Sequence, residues 1–350
     1  FGQKPFKFPP PDGYQPLNIA NTRPVKVISR PDQYIGVTTY AGITQSPRTI
    51  PLPITPDFIW VKNRDATDGH YLFDTVRGDN NNIRSDGTFT QSAVNGASHG
   101  IISTIGSNSF TVKDGGSSGG NVGSTGTEDY VAWFWKAGGN KNTFNVDDVG
   151  YASAAAAGLT GGDITPTGAS VGTKQGFSII KYDGSGTAGD DFPHGLLQTP
   201  EFIIVKDLED TDNWQIYHAG AQTSGAKLLK FTTDEATSNT GPWNNTAPTS
   251  TLITLGGGGT NDSGNSHICY AWHSVPGLQK FGKYTGNGDT GDDGPFIELG
   301  FRPAIIWFKR IEDSSSYNWN CYDTTRSNTG NPTNEVIRLN LNNAEEVNYG

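Results

Sequence analysis

The sequence predicts an all-β protein, a tandem of antiparallel β-sandwich modules joined by Gly/Ser/Thr-rich linkers, and three observations predict it. The first is composition: 46 of the 350 residues are Gly, 20 are Pro, and only 17% are charged. Such a chain holds little of the Glu, Lys, Leu and Ala at helical spacing that long helices need. The second is texture, since short runs of Val, Ile, Phe, Tyr and Trp alternate with clusters of Gly, Asn, Asp and Ser, the chemistry of strands and turns. The third is repetition: one pattern occurs three times, and a repeat of this length decides the architecture.

A chain this long exceeds what one hydrophobic core usually organises, so several domains are expected. Residues 1–30 read as a lead-in, 31–139 as module one, 140–176 as a linker, 177–277 as module two and 278–350 as a partial module three. The centre of each module is Pro56-Asp-Phe-Ile-Trp-Val-Lys62, Pro200-Glu-Phe-Ile-Ile-Val-Lys206 or Pro303-Ala-Ile-Ile-Trp-Phe-Lys309. In every copy the Lys leads into a polar turn: Asn63-Arg64-Asp65, Asp207-Leu208-Glu209-Asp210, Arg310-Ile311-Glu312-Asp313. An aromatic run then returns, Tyr71-Leu72-Phe73-Asp74, Trp214-Gln215-Ile216-Tyr217 or Trp319-Asn320-Cys321-Tyr322-Asp323. Each copy is thus a strand, a turn and a partner strand.

Upstream, Lys181-Tyr182-Asp183-Gly184-Ser185-Gly186 matches Lys283-Tyr284-Thr285-Gly286-Asn287-Gly288 at an offset of 102, against 103 for the Pro anchors. Downstream, Tyr130-Val-Ala-Trp133-Phe-Trp135-Lys-Ala-Gly138 pairs with Cys269-Tyr-Ala-Trp272-His-Ser-Val-Pro-Gly277 as an aromatic closing strand. The third copy has no such strand, so the chain is expected to stop or be cut inside that module. Its start at Phe1 and lack of Met are expected of a segment of a longer polypeptide. The run Ala152–Ala157 is the one helical candidate, and Gly158, Gly161 and Gly162 end it.

A formal charge of −10 disfavours a phosphate backbone, so nucleic acid is not an expected partner. No run approaches the roughly 18 apolar residues of a membrane helix, so no membrane partner is expected. Cys269 and Cys321 are expected as free thiols, because two cysteines at this spacing make no disulfide framework.

The opening residues, Phe1-Gly-Gln-Lys-Pro-Phe-Lys-Phe-Pro-Pro-Pro-Asp-Gly-Tyr-Gln-Pro-Leu-Asn18, resemble the closing segment of SPRY-type, concanavalin-like sandwich domains as they occur in phage proteins. That resemblance implies a lectin-like domain before Phe1. The repeated block resembles a module of structural proteins of marine, especially cyanobacterial, bacteriophages. The pieces that carry the likeness are Pro56–Ala66, Leu72–Gly78, Tyr130–Gly139 and Lys283–Gly288. It implies a virion protein of a tail fibre, spike or other surface appendage used in host attachment; a lectin-like carbohydrate-binding module, a head-decoration or extracellular filament protein and, behind these, a polysaccharide depolymerase are the alternative readings. The virion protein is expected at the particle surface, self-associating as a homotrimer and touching other virion proteins. The family brings no catalytic residues, and no enzyme is expected. Module two departs from the pattern with Ile204 where its siblings have Trp60 and Trp307.

The sequence offers few sites of its own. No nucleophile elbow or phosphate loop surrounds Gly184-Ser185-Gly186 or Gly256–Gly259. His267, Cys269 and His273 are neighbours but too few for zinc. The acidic turns that hold Asp183, Asp190 and Asp191, and then Asp289, Asp292 and Asp293, could give a calcium ion several oxygens, although no EF-hand spacing is present. The recurrent Trp residues fit a core refilled in every copy. Trp243, in a Gly-Pro-Trp-Asn-Asn loop, is the ring expected to be exposed and able to stack on a host cell-surface glycan.

Overall fold

The structure, a computed structural model, describes residues 27–42, 47–93, 101–113, 128–221, 228–232, 241–288, 293–311, 317–326 and 334–347. Among the described residues, twenty-one short strands and a few single 3-10 turns make it all-β. The Ala152–Ala157 run forms hydrogen-bonded turns, Ala157 N to Ser153 O, Gly158 N to Ala155 O and Leu159 N to Ala154 O, and no helix.

Module one has the strands β1 (Ile35–Ala41), β2 (Arg48–Pro51), β3 (Phe58–Asn63), β4 (His70–Asp74), β5 (Asn81–Asn82), β6 (Ser92–Ala93), β7 (Ile101–Gly106), β8 (Ser109–Lys113) and β9 (Asp129–Trp135). Four of them form a sheet in the order β1-β9-β3-β4, and β2-β8-β7 form a second sheet. Strand alternation splits β3 between two cores. Phe58 and Trp60 enter a central core, whereas Ile59 and Val61 meet Phe110 and Val112 of the second sheet. This module is therefore a sandwich.

Module two repeats the plan with β13 (Phe177–Asp183), β14 (Asp191–Pro193), β15 (Phe202–Asp207), β16 (Gln215–His218), β17 (Leu252–Thr254) and β18 (Ser266–Trp272). The order β13-β18-β15-β16 reproduces β1-β9-β3-β4, and β14-β17 cover the outer face. Register corrects one expected alignment. Phe58 lies opposite Trp135 and Phe202 opposite Trp272, so Trp135, not Trp133, corresponds to Trp272. The slip is two residues, which preserves the face and hides it in the pattern.

The segment 140–176 is not a linker. It forms β10 (Phe144–Val146), β11 (Val149–Tyr151) and β12 (Gly168–Gly172), which extend the module-two sheet to seven strands. β10 and β12 run parallel, an exception to the antiparallel plan. Leu159, Ile164, Ala169 and Val171 are buried in the outer core of module two. Small residues here serve close packing: a Cβ on Gly162 would lie 2.8 Å from Asp191 O.

Module three has β19 (Ile305–Phe308), β20 (Asn320–Asp323) and β21 (Ile337–Arg338), in that order in one sheet. It also shares the central core, where Trp319, Cys321, Ile337 and Leu339 join Trp60, Trp133, Phe202, Ile204, Tyr270 and Trp272. The modules are thus not beads on a string, for their inner sheets meet in one aromatic centre.

Candidate functional site

The polar residues of the repeat occupy equivalent places, and two of their arrangements close on themselves. The first is the turn after the leading strand. Lys62 Nζ donates to the carbonyls of Asn63 (2.5 Å) and Ala66 (3.2 Å), and Asn63 Oδ1 accepts the amides of Asp65 and Ala66. Lys206 Nζ donates likewise to Asp207 O (2.5 Å) and Asp210 O (2.9 Å), while Asp207 Oδ1 accepts from Glu209 N and Asp210 N. Lys309 keeps the contact to Arg310 O at 3.0 Å. Burial pushes Lys62 and Lys206 down to about 8, against nearby carboxylates that favour the charge. The Lys six positions after the Pro is therefore a lock on the turn.

The second arrangement joins the modules in a ring. Trp214 of module two donates its indole N–H to Arg84 O of module one, and Trp319 of module three donates to Lys230 O of module two, each at 2.8 Å. His70 of module one lies 3.0 Å from Arg338 O of module three. His70, Trp214 and Trp319 hold the same place before or at the start of the return strand. Arg84, Lys230 and Arg338 likewise follow the residues that bridge that strand: Ile83 to Leu72, Leu229 to Ile216, and Ile337 to Cys321. Because Trp60 Nε1 donates to His70 Nδ1 at 2.8 Å, the ring must carry its proton on Nε2 to donate to Arg338 O. Burial, with help from the Lys62 charge, holds His70 down to about 3, in keeping with a neutral donor.

A buried ion pair reinforces this ring. Asp74 Oδ1 accepts Val76 N and Arg77 N, and its Oδ2 accepts Arg77 Nε (2.5 Å) and, from module two, the Tyr270 hydroxyl (2.6 Å). Asp323 repeats the pattern with Thr325 N, Arg326 N, Arg326 Nε (2.5 Å) and, from module one, Trp133 Nε1 (3.0 Å). Arg77 and Arg326 each also donate to a backbone carbonyl of their own return strand, Leu72 and Cys321. In module two His218 and Ala221 stand in these places, so both charges were exchanged together and neither is stranded. The signal was legible as Asp74-Thr-Val-Arg77 and Asp323-Thr-Thr-Arg326, and sequence reading passed over it.

The expected sites fare differently. Trp243 is a corrected assignment: it is 1% exposed, lies in a 3-10 turn (Gly241–Trp243) and packs against Tyr217 in the outer core of module two. Polar neighbours in sequence concealed a ring that the fold turns inward. Asp183 accepts Ser266 Oγ (2.7 Å), Asp190 accepts Ser185 Oγ (2.7 Å) and Asp191 faces Asp163 N (3.3 Å). These three do not converge on a common point among the described residues. Asp293 is exposed, and Asp289 and Asp292 lie outside the described residues. Cys269 and Cys321 are free and buried.

One other donor set converges: a carboxylate oxygen each from Asp207 and Asp262 and a ring nitrogen of His267 lie within 4.8 Å of one another. Two carboxylates and an imidazole could hold a divalent cation. The sister module fills two of the three places with neutral side chains. Asn63 and Tyr130 hold the places of Asp207 and His267, and Asn63 Nδ2 bonds Tyr130 Oη (3.2 Å) and Glu128 Oε2 (3.0 Å). At the second site Asn265 Nδ2 donates to Asp207 Oδ2 (2.9 Å), His267 Nε2 stands 3.3 Å from that oxygen, and Gly259 N donates to Asp262. Burial opposes the Asp207 charge, yet the His267 ring, Asn265 and two amides outweigh it and hold the carboxyl well below its usual range. Asp207 thus locks the turn of module two as Asn63 locks that of module one.

Fold and site together define an all-β protein of three repeats whose buried polar groups fasten repeat to repeat. Residues 30–349 match a family described as a domain of unknown function, DUF7483, and the chain belongs to that family. The matched stretch takes in all three modules. Neither a curated protein nor a solved structure matches the chain.

Proposed function

We propose that this chain is a non-enzymatic structural protein of an extracellular particle, a bacteriophage tail fibre, spike or related virion appendage that serves host attachment. The observation that carries the reading is where the reactive side-chain types go. Asp74, Arg77, His70, Asp323 and Arg326 are buried and are spent on one another, on backbone groups and on the neighbouring module. That chemistry suits a rigid building block. The likeness of the Pro56–Ala66 and Tyr130–Gly139 segments to modules of marine phage proteins supports the virion setting. Turn-rich outer loops supply attachment surface, and many copies on one particle would turn weak contacts into avidity.

Self-association, with a homotrimer as the expected assembly, and contact with other virion proteins follow from this reading. A host glycan remains an eligible receptor, but its ring would have to be one other than Trp243. Light scattering of the purified chain, with immunogold labelling of particles from the source, tests the proposal. Label at particle appendages supports it. Hydrolysis of host polysaccharide by the purified chain, or label confined to cells and absent from particles, overturns it.

A further inference from the structure

The closing strand is the middle strand of modules one and two: β9 pairs with both β1 and β3, and β18 with both β13 and β15. In module three β19 pairs with β20 on one edge, and among the described residues no strand pairs with its other edge. The consequences can be read position by position. Ile59 and Ile203, each beside a closing strand and under an outer sheet, are 0% exposed, and their counterpart Ile306, which has neither among the described residues, is 44% exposed. Tyr40 stacks on Tyr130 (centroids 5.4 Å apart) and Tyr182 on His267 (5.1 Å), both rings being borne by closing strands. Tyr284, the third of the series, is 52% exposed.

The closing-strand contacts that reinforce the ring show the same gap. The closing strand of module two reaches Asp74 of module one through Tyr270, and that of module one reaches Asp323 of module three through Trp133. Tyr270 and Trp133 are equivalent by register, since Ile204 faces Tyr270 and Trp60 faces Trp133. The third contact of this kind would run from a closing strand of module three to the position of His218.

We propose that the open edge of β19 is a docking site for one antiparallel β-strand of the β9 and β18 kind, supplied by a partner segment of that chemistry rather than by another copy of this chain. Such a strand carries aromatic residues two apart on the face toward the central core, as Trp133 and Trp135 or Tyr270 and Trp272 do. It carries a ring that covers Tyr284 on the opposite face. Main-chain pairing supplies affinity and the aromatic pockets supply selectivity. A second copy of the chain is an unsuitable donor, because its own β9 and β18 are held on both edges within their sheets. This proposal rests on the repeat alone and is independent of the virion reading.

The test uses the 350-residue chain and a fluorescein-labelled peptide with the sequence of residues 265–274, Asn-Ser-His-Ile-Cys-Tyr-Ala-Trp-His-Ser. Fluorescence anisotropy is expected to show saturable one-to-one binding. Replacing the two aromatic residues of the peptide that correspond to Tyr270 and Trp272 by Ser is expected to weaken binding about tenfold or more. Ile306→Lys in the chain is expected to weaken it measurably, since the docked strand would lie against the apolar surface of that side chain. Its melting temperature should hold, because Ile306 is exposed beforehand. A chain extended at its C-terminus by a flexible linker and this same strand should no longer take up the labelled peptide. Absence of saturable binding, equal binding of a scrambled peptide, or undiminished binding by the extended chain overturns the proposal. A dimer of the 350-residue chain that the peptide dissociates gives the edge to a second copy and overturns it too.

Discussion

Trp133, on the last strand of module one, donates its indole N–H to Asp323 of module three at 3.0 Å, across 190 residues of sequence. The same carboxylate oxygen takes Arg326 Nε at 2.5 Å, so one buried oxygen ties a module to itself and to its neighbour.

Asp323→Ala should therefore be costly. It leaves the Arg326 guanidinium buried and the Trp133 N–H without its acceptor, for a loss of about 3–5 kcal/mol in urea unfolding. The double variant Asp323→His with Arg326→Ala copies His218 and Ala221 of module two and should recover a large part of that loss. A double variant no more stable than Asp323→Ala would show that the pair is not interchangeable with the module-two solution.

His70 makes the ring sensitive to acid. Its folded value, near 3, lies below the 6.5 of an unfolded imidazole, so below about pH 6.5 the unfolded chain binds the extra proton and stability falls as pH falls toward 3. Asp57 works in the opposite sense, since burial raises it to about 6, and protonation between about 6 and 4 adds stability. His70→Phe should remove one proton from the acid dependence. It should also cost about 2–4 kcal/mol at neutral pH, because Trp60 Nε1 and Arg338 O both lose a partner. An unchanged slope of stability against pH would remove His70 from this role.

Trp243→Ala should act on stability, with a loss of about 3–5 kcal/mol from the emptied outer core of module two. Glycan-array binding, if the chain shows any, should persist in whatever fraction stays folded. Loss of a glycan signal with the melting temperature intact would return Trp243 to the surface.

Cys269 and Cys321 should resist a thiol reagent in the native chain and react within the dead time in denaturant. Both are fully buried, and burial pushes the Cys321 thiol up to about 12 and Cys269 higher still. Fast labelling of the folded protein would contradict the packing of β18 and β20.

Asp207→Asn, which restores the residue type of Asn63, should keep the turn, and a chelator should leave the melting temperature of the native chain unchanged. A chelator-induced fall that Asp207→Asn abolishes would make the Asp207–Asp262–His267 cluster a cation site instead.

Much of the fold could be read from local pattern. Alternation in Phe58–Lys62 and Phe202–Lys206 marks strands with two buried faces, and the recurring Pro and Lys mark where each begins and locks. What escaped is non-local. Nothing near His70 in sequence announces Arg338, so the ring of modules had no local signature. The segment 140–176 read as a linker because small residues favour both flexible loops and tight packing, and a non-local contact such as that of Gly162 with Asp191 separates the two. Trp243 was misplaced for a related reason: its Gly, Pro and Asn neighbours describe the backbone turn and are silent about where the ring points.

The contact from His70 to Arg338 spans 268 residues and completes the circuit of modules. During synthesis the first module emerges from the ribosome long before its partner carbonyl exists. Trp60, Trp133 and Trp135 then have no module-three surface to lie against until residues 319–339 follow. The central core is thus complete only after the tail of the chain has arrived, as follows where contacts join distant segments. A chain shortened before residue 338 would lose more than its third module: it would release the first two with their aromatic faces bare, a species disposed to aggregate.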